Sequence, residues 1–320
     1  MMTKAVEALS TNEEIQDVGV DIGRGCVKAF SKFKGKTHQT MFKSIISYGR
    51  NLRFDDYEHP LYVEVNDGYD YFVGNLAELE GYIQVHYTSD EKVGDVVEVL
   101  LCTALSEVAV ADKVRIALGV PKKMYRRSVL NEVINAYKGK TFKIKNKING
   151  SHKEITIVDI TIYREADSAI IEQYEKMPEL FNCKVGMAVM GFKTLELAYY
   201  NEGFEFNDRK STTIELGNIT MLKFVQDELQ AQGLDKSLAE IDSSSNYDEL
   251  KLKGNKALCS QFNRHLKDAW QNLSDVTIFC AGGTLLNLKD FPEFNYELVD
   301  QEPQMAVARG LFLVAEKQFS

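Results

Sequence analysis

Twice in this chain an apolar run breaks at a glycine turn and resumes as a second apolar run, and that repetition limits the folds open to it. The first copy is Asp17-Val-Gly-Val-Asp21-Ile-Gly23-Arg24-Gly25-Cys26-Val-Lys28. The second runs from Val185 to Met190, turns at Gly191-Phe192-Lys193 and returns from Thr194 to Tyr200. Each reads as a strand, a tight turn and a returning strand, in other words a hairpin. Glycine admits positive φ and lets a ligand approach the main chain. Successive N–H groups in such a turn form a concave nest that suits phosphate oxygens. A carboxylate beside the nest, here Asp21, can hold the water shell of Mg2+, which takes one or two carboxylates together with phosphate. Asp-x-Gly-x-Gly also serves turn geometry alone, so the first copy by itself leaves both readings open. A third strand-to-glycine turn, Val276 to Cys280 running into Ala281-Gly282-Gly283-Thr284, stands near the end. Two similar domains facing each other across a cleft, each offering one phosphate turn, account for all three.

The segments between the turns alternate strands and helices, an α/β pattern with mixed sheets. Val96 to Val110 is apolar at helical spacing, Val114 to Val120 is a central strand ending at Pro121, and Met124 to Tyr137 is an amphipathic helix closed by Gly139. Glu154 to Tyr163 is a β-branched strand, followed by a helix from Asp167, its expected cap, to Lys176. Helices are expected at Ile219–Gln232, Lys256–Leu273 and Gln304–Lys317, with a serine-rich loop over Asp242–Asn246. Polar residues Met1–Gln16 read as a flexible lead-in.

Charge and cysteine usage narrow the function. The net charge of −9 opposes direct contact with a nucleic-acid backbone, which needs clustered positive charge. One local exception is Lys138, Lys140, Lys143, Lys145, Lys147 and Lys153, on a hairpin turning at Asn149-Gly150. It reads as a solvated face, with a polyanion contact as the alternative. Cys26, Cys102, Cys183, Cys259 and Cys280 are odd in number and scattered, as expected of free thiols in a reducing compartment. The histidines never pair with cysteine or carboxylate at ligand spacing, so no histidine metal site is expected. No apolar run approaches bilayer length and the N-terminus has no signal-peptide core, so no membrane contact and a cytoplasmic location are expected. Gly-x-x-x-x-Gly-Lys-Ser/Thr is absent, which excludes a P-loop.

The three turns and two further segments together resemble the actin/sugar-kinase/DnaK-type ATPase superfamily, and within it the ParM/StbA actin-like plasmid-segregation proteins. Asp21 to Lys28 resembles the first phosphate motif of that group. Tyr71-Phe-Val-Gly-Asn-Leu-Ala77 is similar to its Tyr-x-Val-Gly-x-x-Ala signature, and Gly119-Val-Pro121 before Tyr125 to its Gly-Leu-Pro-x-x-x-Tyr element. Gly282-Gly283 resembles the adenosine motif, and Pro303-Gln-Met-Ala-Val-Ala-Arg-Gly310 the Pro-x-x-Ala-x-x-Arg-Gly hinge segment. The match runs over about residues 17 to 317 and keeps the order.

The resemblance implies an actin-like fold of two similar domains with mixed sheets flanking a nucleotide cleft. It divides the chain into a first domain of residues 17–165 plus 304–320 and a second of residues 166–303. ATP, or GTP, with Mg2+ is implied in the cleft. Asp21 would organise the ion through water, Lys28 would reach a phosphate, and Glu165 would orient the attacking water. Gly23, Arg24, Gly25, Cys26, Gly191, Phe192, Lys193 and Thr194 would contact phosphate; Gly282, Gly283 and Thr284 would meet the nucleoside. The implied function is a head-to-tail cytomotive filament of identical subunits, joined to a plasmid centromere by a DNA-binding adaptor. A soluble kinase of the same superfamily, phosphorylating a small metabolite, is the alternative; a nucleotide-gated chaperone would need a separate peptide-binding domain. Two departures stand out. The second phosphate motif, normally Asp-x-Gly-x-x-Thr-x-Asp, begins at Val189 and ends at Glu196, which implies slow hydrolysis. Lys193 either compensates with positive charge near the terminal phosphate or faces solvent. Met41-Phe-Lys-Ser44 replaces Phe-Pro-Ser, expected to alter only a loop.

Overall fold

The computed structural model describes residues 14–52, 57–299 and 302–320. Among these, ten strands form one sheet: β1 (Ile15–Ile22), β2 (Cys26–Phe33), β3 (Lys36–Lys43), β4 (Ile45–Tyr48), β5 (Leu61–Val65), β6 (Asp70–Val73), β7 (Gln84–His86), β8 (Lys113–Val120), β9 (Thr141–Asn146) and β10 (His152–Arg164). Their order is β3-β2-β1-β8-β10-β9-β5-β6-β4-β7. The central β1, β8 and β10 run parallel and the strands outside them pair antiparallel, so the sheet is mixed. Buried on both faces, β1 and β8 read as near-continuous apolar runs. Helices α1 (Asn75–Glu80), α2 (Asp95–Val108), α3 (Arg127–Tyr137) and α4 (Glu165–Lys176) follow in the chain. Helix α2 covers one face of the sheet with Leu100, Leu101 and Leu105, which join Val18, Val20 and Ile116 in one core.

A second, smaller mixed sheet contains β11 (Val185–Met190), β12 (Leu195–Asn201), β13 (Glu205–Phe206), β14 (Thr212–Ile214), β15 (Thr277–Ala281) and β16 (Glu297–Leu298). Helices α5 (Asn218–Ala231), α6 (Leu238–Ser243), α7 (Asp248–Trp270) and α8 (Gly283–Leu286) accompany it. The end of α7 seats Trp270 on β11, where Gly186 leaves room: a Cβ there would lie 2.6 Å from the indole ring. Trp270 is 1% exposed and its Nε1 donates to the Lys210 carbonyl. Trp270→Ala is expected to cost about 3–5 kcal/mol, read as a fall in the denaturation midpoint; a loss under about 1 kcal/mol would mean the indole does not hold α7 to the sheet.

The last helix, α9 (Ala306–Phe319), ties the two sheets together. It lies on β1 at Gly19, where a Cβ would fall 2.2 Å from the Ala308 carbonyl oxygen. On its other side it crosses α4 at Gly310, whose Cβ would fall 1.8 Å from the Ser168 oxygen. A core of Ala117, Ile170, Met187, Phe279 and Leu311 spans β8, α4, β11, β15 and α9, joining strands of both sheets through these helices.

Several sequence readings change. The lead-in expected over residues 1–16 falls mostly outside the described residues, but Ile15 and Gln16 already belong to β1. Gln16 is fully buried, donating to Ser31 Oγ and the Val108 carbonyl and accepting from the Val110 N–H. Met41–Lys43 is strand rather than loop, because β3 pairs with β2 through Lys43. Asp167 does not cap α4; the helix opens two residues earlier at Glu165, and buried Asp167 pairs with Arg164 in its first turn. The serine-rich segment is partly helical, since Ser237 and Glu240 form a capping box that starts α6. Helix α7 begins eight residues before the expected Lys256, its polar first turns carrying too little apolar period to be read. All five cysteines are free.

Candidate functional site

The three glycine turns meet in one cleft between the sheets. In the first, β1 and β2 pair so that Asp21 stands directly opposite Lys28, which brings Lys28 Nζ to 2.8 Å from Asp21 Oδ2. Burial works to lower the Lys28 pKa, but the Asp21 charge and hydrogen bond outweigh it and hold the ammonium above its ordinary range. Ser44 braces the turn from behind: its Oγ donates to the Gly23 carbonyl at 2.5 Å and its N–H to the Gly25 carbonyl at 3.0 Å. The pairing of Lys43 with Cys26 delivers Ser44 to that position.

The second turn, between β11 and β12, closes with the Gly191 N–H on the Thr194 carbonyl at 2.9 Å. Amides at the start of α5 cap it, Ile219 N–H donating to the Phe192 carbonyl at 2.8 Å. The two turns touch, for a Cβ on Gly25 would sit 2.6 Å from the Cβ of Phe192. In the third, Gly282 takes φ +99° and packs on Met190, where any side chain would collide with the Met190 carbonyl.

Of the residues read from the sequence, Asp21, Gly23, Arg24, Gly25, Cys26 and Lys28 line the cleft from one side. Gly191, Phe192, Lys193 and Thr194 line it from the other, with Gly282, Gly283 and Glu165 completing the walls. Thr284 does not line it. It is buried behind the second turn, and its Oγ1 donates to the Gly191 carbonyl at 2.8 Å. Lys193 lines the rim half-exposed, 3.8 Å from Glu215.

Sequence reading missed Ser44, Ser89, Asp90, Lys92 and Gln304, because each arrives from a different element with no spacing that relates it to a turn. Lys92 is 3% exposed, donates to the Ile22 carbonyl at 2.6 Å and lies 3.7 Å from Glu165 Oε1. Glu196 could have been found as the trailing carboxylate of the second motif. It is 2% exposed, and its Oε2 accepts from the Lys122 N–H at 3.0 Å and the Thr213 hydroxyl at 2.8 Å, while Oε1 has no hydrogen-bond partner.

Two carboxyl groups in the cleft therefore hold protons unusually well. Burial pushes Glu165 up to about 7; Lys92 pulls it down and Asp21 pushes it up. Burial and the nearby Glu165 push Glu196 up to about 8 against the pull of its two hydrogen bonds. Between the unfolded carboxyl value and these raised values the folded state binds more protons than the unfolded one, so stability falls as pH rises through that window. We expect melting temperature to fall from pH 5 to pH 8 and Glu196→Gln to flatten the fall, its advantage over the native chain growing with pH. Parallel melting curves across that range would remove Glu196 as the cause.

Chemically, the arrangement offers two facing nests of main-chain amides flanked by lysines and an arginine, with a proton-holding carboxyl group at one wall. That combination suits a chain of phosphoryl groups with a water molecule activated at its end.

Comparisons with known proteins agree on the fold. Residues 19–166 match the family described as the N-terminal domain of actin-like proteins. A non-polymerisable quadruple mutant of pCBH ParM superposes with a TM-score of 0.80 at 20% identity, over 96% of this chain and 100% of that one. The Alp12 filament structure gives 0.67 at 20% identity, over 96% and 99%. Bacillus thuringiensis ParM with ATP gives 0.66 at 16% identity, over 96% and 100%. No curated protein sequence matches the chain. With a matching N-terminal domain, two mixed sheets and a cleft between them, this chain is an actin-like protein in fold, similar to the ParM and Alp proteins.

Proposed function

We propose that the chain is a nucleotide-dependent polymerising protein that binds ATP, or GTP, in the cleft and hydrolyses it slowly. The observation that carries this reading is the contact of two glycine turns across the cleft, with Glu165 between them and the third turn alongside. In this reading the turn amides hold the phosphates, Lys28 lies beside them, and Gly282 and Gly283 let the base approach the main chain. Glu165 takes a proton from, and aligns, the attacking water. Mg2+ would enter with the phosphates and supply charge neutralisation there. Asp21 at the mouth of the first turn is the carboxylate that fits its water shell, in keeping with the preference of that ion for one or two carboxylates.

Subunits add head to tail, since a patch that meets a different patch without closing builds an open filament. The likeness to ParM and Alp proteins, one of them solved as a filament, supports this self-association. Segregation of plasmid DNA through a DNA-binding adaptor, in the cytoplasm, completes the proposal. The acidic net charge supports an indirect link to DNA, and among the described residues no helix is long and apolar enough to cross a membrane. The division into residues 17–165 plus 304–320 and residues 166–303 belongs to the same proposal.

High-speed pelleting with ATP, GTP, ADP or no nucleotide, with phosphate release followed in the same tubes, tests the reading. Nucleotide-dependent pelleting is expected. No pellet under any condition, with turnover appearing only when a sugar or acetate is added, would move the assignment to a small-metabolite kinase. Val189 is apolar and buried at the wall where this motif normally carries a carboxylate. Val189→Asp is therefore expected to raise the rate of phosphate release, and an unchanged rate would clear Val189 of limiting turnover.

A further inference from the structure

One cationic side chain in the cleft is placed to do more than the other turn residues. Arg24 lies in the first turn between two glycines, and its side chain is only 7% exposed. One terminal nitrogen of its guanidinium is ion-paired with Asp90, and the other crosses the cleft to donate to Thr194 Oγ1 at 2.8 Å. The planar, five-donor group thus spans the two turns whose amides face one another. Asp90 does not neutralise Arg24 alone, because it also takes Lys123 Nζ at 2.7 Å, and Lys123 holds Glu215 at 2.6 Å. Despite its burial, Asp90 is held below the usual carboxylate range by Lys123 and Arg24, so it stays charged and keeps the guanidinium in place.

The same cleft offers a metal ion little. Asp21 is bonded to Lys28, and Val189 puts an apolar side chain in the facing wall. Among the described residues no group of three or more acidic, histidine or cysteine side chains is arranged to hold a metal. An arginine fork held between two phosphate turns and a poor set of metal donors are two sides of one arrangement. The fork matches a pair of phosphoryl oxygens.

We propose that Arg24 supplies, from the protein itself, most of the charge neutralisation that Mg2+ gives a nucleotide. On binding it exchanges the Thr194 hydroxyl for two phosphate oxygens while keeping Asp90, and nucleotide affinity depends only weakly on the metal. The proposal rests on the nucleotide reading of the cleft and deepens it.

The test is equilibrium binding of a fluorescent ATP analogue to the purified chain, with Mg2+ or with EDTA, for the native chain, Arg24→Ser and Arg24→Lys. For the native chain the affinity is expected to change by less than about fivefold on metal removal. Arg24→Ser in EDTA is expected to bind at least roughly thirtyfold more weakly, the scale for truncating one partner of a buried charged contact, and to recover part of that loss with Mg2+. Arg24→Lys keeps the charge without the fork and should fall between, which guards against misreading a folding defect in the serine variant. A native chain that loses about a hundredfold in EDTA overturns the proposal, as does Arg24→Ser binding normally in EDTA. A native chain that binds no nucleotide with or without metal overturns the nucleotide reading itself, and the proposal with it.

Discussion

Glu165→Gln is expected to cut phosphate release at least about 100-fold while nucleotide-dependent pelleting persists, the range for removing a general base. The glutamine keeps the size of the side chain and its place at the start of α4, so the cleft walls keep their shape. What it loses is the ability to take a proton. Glu165 is tuned for that task by its surroundings: burial raises it towards neutrality, and Lys92, itself anchored on the Ile22 carbonyl, keeps the rise in bounds. Only the ionised form can act as base, so release should climb with pH through about 7 and then level off. The variant should show no such climb. Phosphate release within a few-fold of native would assign the carboxyl a purely local role at the helix N-terminus.

Gly310→Ala is expected to destabilise the chain severely and to leave little soluble protein. At an ordinary helical position the change would favour folding by about 1 kcal/mol, because alanine is the better helix former. Here the added carbon falls 1.8 Å from the Ser168 oxygen, a main-chain atom that cannot step aside like a side chain. To make room, α9 must lift off α4. That lift would also disturb its contact with β1, where Gly19 already lets the Ala308 carbonyl come within 2.2 Å of the Cβ position. The penalty should exceed about 3 kcal/mol, at the upper end of ordinary overpacking. It is read from solubility and from the urea midpoint of whatever protein is recovered. An alanine variant as stable as the native chain would mean the crossing is looser than described.

The sequence made the glycine turns legible because glycine advertises unusual backbone needs locally, and the apolar runs on either side announce their strands by period. Asp21 and Lys28 were readable as a pair because the two-strand register follows from the turn itself. Residues that reach the cleft through tertiary structure were not. Lys92 enters from the segment before α2, Asp90 from the same loop, and Ser44 through the pairing of β3 with β2; nothing in their neighbours marks them. The lysine hairpin illustrates the same limit. Its Phe142 and Ile144 are buried as the alternation indicates, but Lys140, Lys143 and Lys147 find Glu98, Asp67 and Asp70 on other elements. Those pairings favour the structural reading of the basic face over a polyanion contact, and they depend on folding that no short window of sequence contains. Thr284 shows the converse: a residue adjacent to a true turn glycine, yet turned inward to fasten the neighbouring turn.

The crossing of α4 and α9 has a mechanical consequence. It sits against the middle of a wide sheet, and from β8 the strands continue through β10, β9, β5, β6 and β4 to β7. At roughly 4.8 Å per strand that is a lever arm of up to about 29 Å, so a turn of about 5° at the fulcrum swings the far edge by about 2.5 Å. The short loop before β7 carries Tyr82 and Ile83, 85% and 69% exposed. A slide at the helix crossing too small to break a hydrogen bond is thus geared up to the width of a contact at the rim, where a neighbouring molecule would feel it.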